Sequence, residues 1–82
     1  MSVDHETMQV MVLSVIKALV EHPDEVKVKP IEGDNTIVFE VQVHPEDAGK
    51  VIGKKGRTIN ALRTIIRAST LLGNKKIMME LV

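Results

Sequence analysis

HPEDAGKVIGKKGRTI, residues 44–59, decides how this chain is read. His44-Pro45-Glu46-Asp47 has the form of a helix start. Proline suits the first helical position, and acids suit the first turn, where the helix dipole favours negative charge. Gly53 keeps that helix short. Gly53-Lys54-Lys55-Gly56 is then a tight connection into a longer helix expected from Arg57 to Leu72. Gly53 and Gly56 lack Cβ atoms, so a phosphate-bearing ligand can come close to the main chain. The free N–H groups that open the second helix, and its dipole, favour an anion at the same point. Lys54, Lys55, Arg57 and Lys50 add positive charge. A Walker phosphate loop is excluded, because four residues separate Gly49 from Lys54 and no Lys-Ser/Thr pair closes the loop.

Working outward, the expected core stripe of the longer helix is Ala61, Leu62, Ile65, Ile66, Ala68 and Leu72, with Asn60, Arg63, Thr64 and Arg67 outside it. Ile59 sits at the edge of the polar stripe. With Ile52 it is expected to form an apolar wall beside the glycine turn. Arg57, Asn60, Arg63 and Arg67 lie in a line leading away from the turn. Gly73-Asn74 reads as a helix stop.

Upstream, residues 5–21 read as a helix, with Asp4 as N-cap and Met8, Val12, Val15, Ile16 and Leu19 on one face. Val10 and Met11 fall near the polar stripe, leaving more apolar surface than one packing face needs. His22-Pro23 ends this helix. Residues 25–31 alternate as a strand that Pro30 confines to a sheet edge. Glu32-Gly33-Asp34-Asn35 is turn chemistry, so the following strand returns antiparallel. In it Ile37, Phe39, Val41 and Val43 point one way, Glu40 and Gln42 the other. Ile77, Met79 and Leu81 alternate with Met78 and Glu80 in a last strand, both methionines being read as strand packing. A helical crossover leaves the second and third strands parallel. The expectation is an α+β domain spanning 1–82, ordered α-β-β-α-α-β, with a three-stranded mixed sheet ordered 1-2-3 and its helices on one face.

The 82 residues carry no cysteine, which excludes a disulfide scaffold and a thiolate metal site and fits a reducing compartment. Asp4 and Glu6 stand where a signal peptide needs positive charge, so a cytoplasmic location is expected. Lys plus Arg equal Asp plus Glu at 11 each, yet residues 1–47 carry a net −7 and residues 48–82 a net +7. A neutral chain can thus present an anion-binding half. Phe39 is the single aromatic residue, which removes base stacking on rings as a binding strategy.

A strand, a short helix, a basic Gly-x-x-Gly turn and a longer helix form the layout of a KH domain. Val51-Ile52-Gly53-Lys54-Lys55-Gly56-Arg57-Thr58-Ile59 resembles the KH signature V-I-G-x-x-G-x-x-I. ALVEHPD at 18–24 and HPEDAGKVIGKKGRT at 44–58 are similar to stretches of the small bacterial single-KH proteins of the KhpA type. The resemblance covers essentially the whole chain. It implies a type II KH fold and binding of single-stranded RNA with low sequence specificity, in the cytoplasm. The implied site is Gly53, Lys54, Lys55, Gly56 and Arg57, with Lys50, Ile52, Ile59 and Asn60 around it. It also implies an RNA chaperone or post-transcriptional regulator linked to cell elongation, acting as a homodimer or as a heterodimer with another KH-domain protein. The alternative is a protein-interaction module that mainly pairs with a second KH protein.

No catalytic constellation is visible, so an enzyme is not expected, nor is a cofactor. Ser14, Ser69 and the threonines have no base partner. His5, His22 and His44 are scattered without metal-ligand spacing, and are read as surface or capping residues with no metal site.

Overall fold

The computed structural model describes residues 5–70 and 76–82. Its elements run α1 (His5–Leu19), β1 (Lys27–Glu32), β2 (Thr36–Gln42), α2 (Ala48–Ile52), α3 (Arg57–Thr70) and β3 (Lys76–Leu81). Short 3-10 turns at Pro23–Glu25, Pro45–Asp47 and Lys54–Gly56 lead into β1, α2 and α3. The α-β-β-α-α-β order is the expected one. Asp4, Leu72, Gly73, Asn74 and Lys75, with the cap and helix stop assigned to them, lie outside the described residues.

β2 is the central strand, antiparallel to β1 and parallel to β3, so the sheet is mixed and ordered 1-2-3. The hairpin closes where Gly33 N–H donates to Thr36 O at 2.7 Å. Pro30 faces Phe39 from the edge strand β1, where its missing N–H can point away from the ladder. β1 begins at Lys27, not at residue 25, because Glu25 closes a 3-10 turn in which Val26 N–H reaches Pro23 O. Ile37, Phe39 and Val41 of β2 share one face with Ile77 and Met79 of β3, and all five are buried. Met8, Val12 and Ile16 of α1, Val51 of α2, and Ile59, Leu62 and Ile66 of α3 pack against them. The opposite sheet face is exposed at Met78 and Glu80 of β3 and half-buried at Val38 and Glu40 of β2.

Two helices depart from their expected patterns. α1 stops at Leu19 instead of running to residue 21, and Leu19 is exposed instead of packed. Beyond it, the N–H groups of Glu21 and His22 donate to the Asp47 carboxylate, so they cannot continue the helical ladder. Met11 packs against the core, while Val10 stays exposed.

α3 is rotated relative to its expected phase. Ile59, Leu62 and Ile66 face inward, whereas Ala61, Ile65 and Ala68 are exposed. The turn before the helix explains the shift. Thr58 sits directly against Gly53, and a side chain at Gly53 would come within 2.9 Å of Thr58 N. That contact sets the start of the helix and turns the next residue, Ile59, into the core.

The phase of α3 is testable by paired truncations. Ile66 is 1% exposed and Ile65 is 51% exposed. Ile66→Ala should cost about 2–5 kcal/mol, and Ile65→Ala should change stability by no more than about 0.5 kcal/mol. Urea titrations of both variants measure this, and equal losses would contradict the observed phase.

Candidate nucleic-acid interface

The glycine turn is built from positive-φ residues. Gly53 (φ 78°) ends α2 while donating its N–H to Gly49 O at 2.9 Å, and Gly56 (φ 74°) donates to Gly53 O at 3.1 Å. Lys55 lies between them in the left-handed region at φ 58°, ψ 25°. That conformation costs a residue with a Cβ about 1–2 kcal/mol. The turn therefore holds Lys54 and Lys55 outward, both exposed, with exposed Arg57 opening α3 behind them. Three cations surround main chain that carries no side chain at Gly53 or Gly56.

Beside the turn runs a groove between α3 and the outer edge of β3. Its near part is lined by Ile52, Ile59, Arg63, Glu80 and Leu81. Its far part, a cavity of about 490 Å³, is lined by Arg63, Ile66, Arg67 and residues 76–80. The two parts share Arg63 and Glu80, so they form one path leading away from the glycines. Exposed Ile52 supplies a true surface wall. Ile59 does not fit the expectation of a surface wall. It is 7% exposed, belongs to the core, and contributes only an edge to the groove. Asn60 is exposed one turn into α3, next to Gly56.

Lys50 is placed differently from the other expected cations. Its ammonium lies 3.2 Å from Glu21 Oε1 and 3.5 Å from Asp47 Oδ1. The hydrogen bond to Glu21 is the main cause of its raised pKa, ahead of the opposing effect of desolvation. Its charge is thus matched within the fold. Arg63, Arg67, Lys76, Met78, Glu80 and Leu81 join the groove instead. The arginines were legible as a basic track one turn apart. The strand residues were not, because only the tertiary placement of β3 beside α3 brings them to the groove. Met78, expected to pack, is exposed and lines the cavity.

Asp47 holds α2 in place. It is the one buried polar residue among those described, with none of its surface exposed. It accepts from Glu21 N at 3.2 Å, from His22 N at 3.0 Å and from Lys50 Nζ at 3.5 Å, and its Oδ2 lies 3.0 Å from His22 Nδ1. Burial alone would raise its pKa. The bonds from the Glu21 main chain and from the His22 ring and main chain outweigh that and hold it down at about 2. The first-turn acid thus ties the end of α1 to the start of the helix that presents the glycines.

The histidines depart from expectation in one respect, their proximity, while His44 caps as expected. His22 and His44, read as scattered, stack with ring centroids 4.1 Å apart and planes 15° from parallel. His44 Nδ1 accepts the Glu46 N–H at 3.1 Å.

Against this geometry, residues 9–81 match the family model described as "KhpA/KhpB, KH domain". The chain belongs to the KhpA/KhpB KH-domain family. It is 43% identical over 75 residues to the RNA-binding protein KhpA of Clostridium acetobutylicum, covering 92% of this chain and 100% of that one. With the KhpA of Caldanaerobacter subterraneus it shares 44% over 72 residues, covering 88% and 96%. The KhpA of Chlamydia pneumoniae is 42% identical over 67 residues, covering 82% and 86%. The mixed sheet with helices on one face is the type II KH arrangement that the KhpA resemblance implied. Among the described residues no helix is long and apolar enough to cross a membrane.

The Asp47 tie predicts an acid sensitivity. Its folded pKa is depressed from 3.8 to about 2, so its contribution to stability is present above 3.8 and is lost as pH falls through about 2. Urea midpoints should therefore decline across that window. Asp47→Asn keeps one acceptor oxygen and puts an amide donor against the other N–H group, since Glu21 N and His22 N are held by different oxygens. It should lower the midpoint at neutral pH and flatten the decline. An unchanged pH profile in Asp47→Asn would contradict the assignment.

Proposed function

We propose that this chain is a single KH module that binds single-stranded RNA and catalyses no reaction. The observation that carries the reading is the strained glycine turn, with Lys54, Lys55 and Arg57 exposed on it and a half-apolar groove starting beside it. Phosphates approach the main chain at Gly53 and Gly56, where no side chain stands in the way. Bases then lie along Ile52 and the edge of Ile59 toward Arg63, with Asn60 within reach; KH clamps hold about four nucleotides. The names of the relatives, RNA-binding proteins, support the same reading. No ring other than imidazole is available for stacking at the surface, since Phe39 is buried, which favours low sequence specificity. The broader role, a cytoplasmic RNA chaperone or post-transcriptional regulator linked to cell elongation, extends this reading through the family resemblance.

The test is the double variant Lys54→Asp/Lys55→Asp. Both side chains are exposed, so stability should move by only about 0.5 kcal/mol or less, while RNA affinity falls at least tenfold. For the wild type, about three phosphate contacts at about −0.7 each give a log–log salt slope near −2. Circular dichroism melts and filter binding across salt concentrations report both. Unchanged RNA affinity in the folded variant would overturn the site.

A second reading, self-association or pairing with another KH protein, rests on Ile65. It is 51% exposed and lies between exposed Ala61 and Ala68. At 100° per residue it falls on the flank of α3 away from Arg63 and Arg67, so a partner there leaves the RNA groove open. Ile59, read from the sequence as lying at the edge of the polar stripe, is in the core and offers no such surface. In sedimentation equilibrium, Ile65→Asp should shift a dimer toward monomer, and Val10→Asp tests the other exposed apolar position, on α1, as the alternative seat of pairing. A strictly monomeric wild type that also captures no KH protein would refute pairing.

A further inference from the structure

We propose that His22, His44 and Glu46 bind one borderline divalent transition-metal ion, such as Zn2+, at the junction of the α1–β1 and β2–α2 connections. The three side chains each offer a ligand atom, and these atoms lie within 4.8 Å of one another. The chain has no cysteine. Two imidazoles and one carboxylate select zinc, copper or nickel over magnesium or calcium, which prefer oxygen ligands throughout.

Each ring has its lone pair assigned by its neighbour. The Asp47 carboxylate acts as acceptor for the Glu21 and His22 N–H groups, so the His22 ring nitrogen 3.0 Å from it, Nδ1, carries the proton. In neutral His22 the lone pair is then on Nε2. This pairing of a buried carboxylate with a half-buried imidazole is the orienting arrangement that accompanies metal-ligating histidines and raises their basicity. His44 is opposite. Its Nδ1 accepts the Glu46 N–H at 3.1 Å, so the lone pair is on Nδ1. That bond is exposed, and a cation can replace it. The rings lie 15° from parallel, so their lone pairs run in neighbouring planes. Closing on one ion requires the less anchored ring, His44, to tilt out of the stack toward exposed Glu46. Three protein ligands leave a fourth tetrahedral position to water.

The position gives the ion a consequence. His22 follows α1 and His44 precedes α2, so a bound ion adds a second link beside the Asp47 tie.

The probe is Zn2+ alone, added to the full chain and followed by competition with a chromophoric chelator and by long-range 1H–15N spectra of the imidazoles. One equivalent should bind with micromolar affinity, raise the melting temperature, and shift His22 Nε2 and His44 Nδ1 together. His44→Ala and Glu46→Gln should each weaken binding at least tenfold, and His5→Ala should not. Absence of saturable binding overturns the site. So does binding that moves neither His22 Nε2 nor His44 Nδ1 in the wild type, a readout that holds even if a variant fails to fold.

Discussion

The Asp47 carboxylate is the constraint on which the placement of the glycine turn depends. α2 is only five residues long, Ala48 to Ile52, and so short a helix cannot hold its own position in water. Val51 anchors its inner side in the core, and Asp47 fixes its start by gathering the main-chain N–H groups of Glu21 and His22. With both ends of the segment set, Gly53 and Gly56 project from a defined point. A carboxylate buried without such donors would be strongly unfavourable, and with them it is a directional tie between segments distant in sequence.

A second constraint operates at the turn. Lys55 is held in the left-handed region, which Cβ-bearing residues avoid, and Gly53 has no room for any side chain because Thr58 fills that space. Strain of this kind persists where the surrounding structure over-determines the backbone, and such sites tend to be functional. Its result is a rigid, open corner of main chain flanked by cations, matched by a groove whose walls are apolar near Ile52 and Leu81. The whole-chain charge of zero is irrelevant to this arrangement, since the acids are concentrated before residue 48 and, of the nearby cations, Lys50 pairs with two of them.

Much of this was legible from local chemistry. Pro30 and the Glu32–Asn35 turn mark an edge hairpin, the alternation from Ile37 to Val43 marks the central strand, and Gly53-Lys54-Lys55-Gly56 announces itself by residue type. What local patterns left open is equally specific. Apolar residues at 59, 61, 62, 65, 66 and 68 cover more than one face of a helix. Leu62 and Ile66 were certain to be buried, but the choice between Ile59 and Ile65 depended on how Thr58 meets Gly53. Asp47 read as a first-turn acid because a carboxylate there looks the same whether it faces water or N–H groups 25 and 26 residues away. The His22–His44 stack and the β3 wall of the groove are likewise products of tertiary placement, which no spacing rule in one sequence encodes.

The central claim is that one continuous surface, from the glycine turn along α3 and the β3 edge, meets RNA. Titrating 15N-labelled protein with a short single-stranded RNA and following every backbone amide tests it most directly. The account predicts saturable shifts at residues 53–60, at Arg63 and along 76–81, with the hairpin turn at 32–35 unmoved. Shifts confined to the hairpin or to α1, with the glycine turn silent, would contradict it.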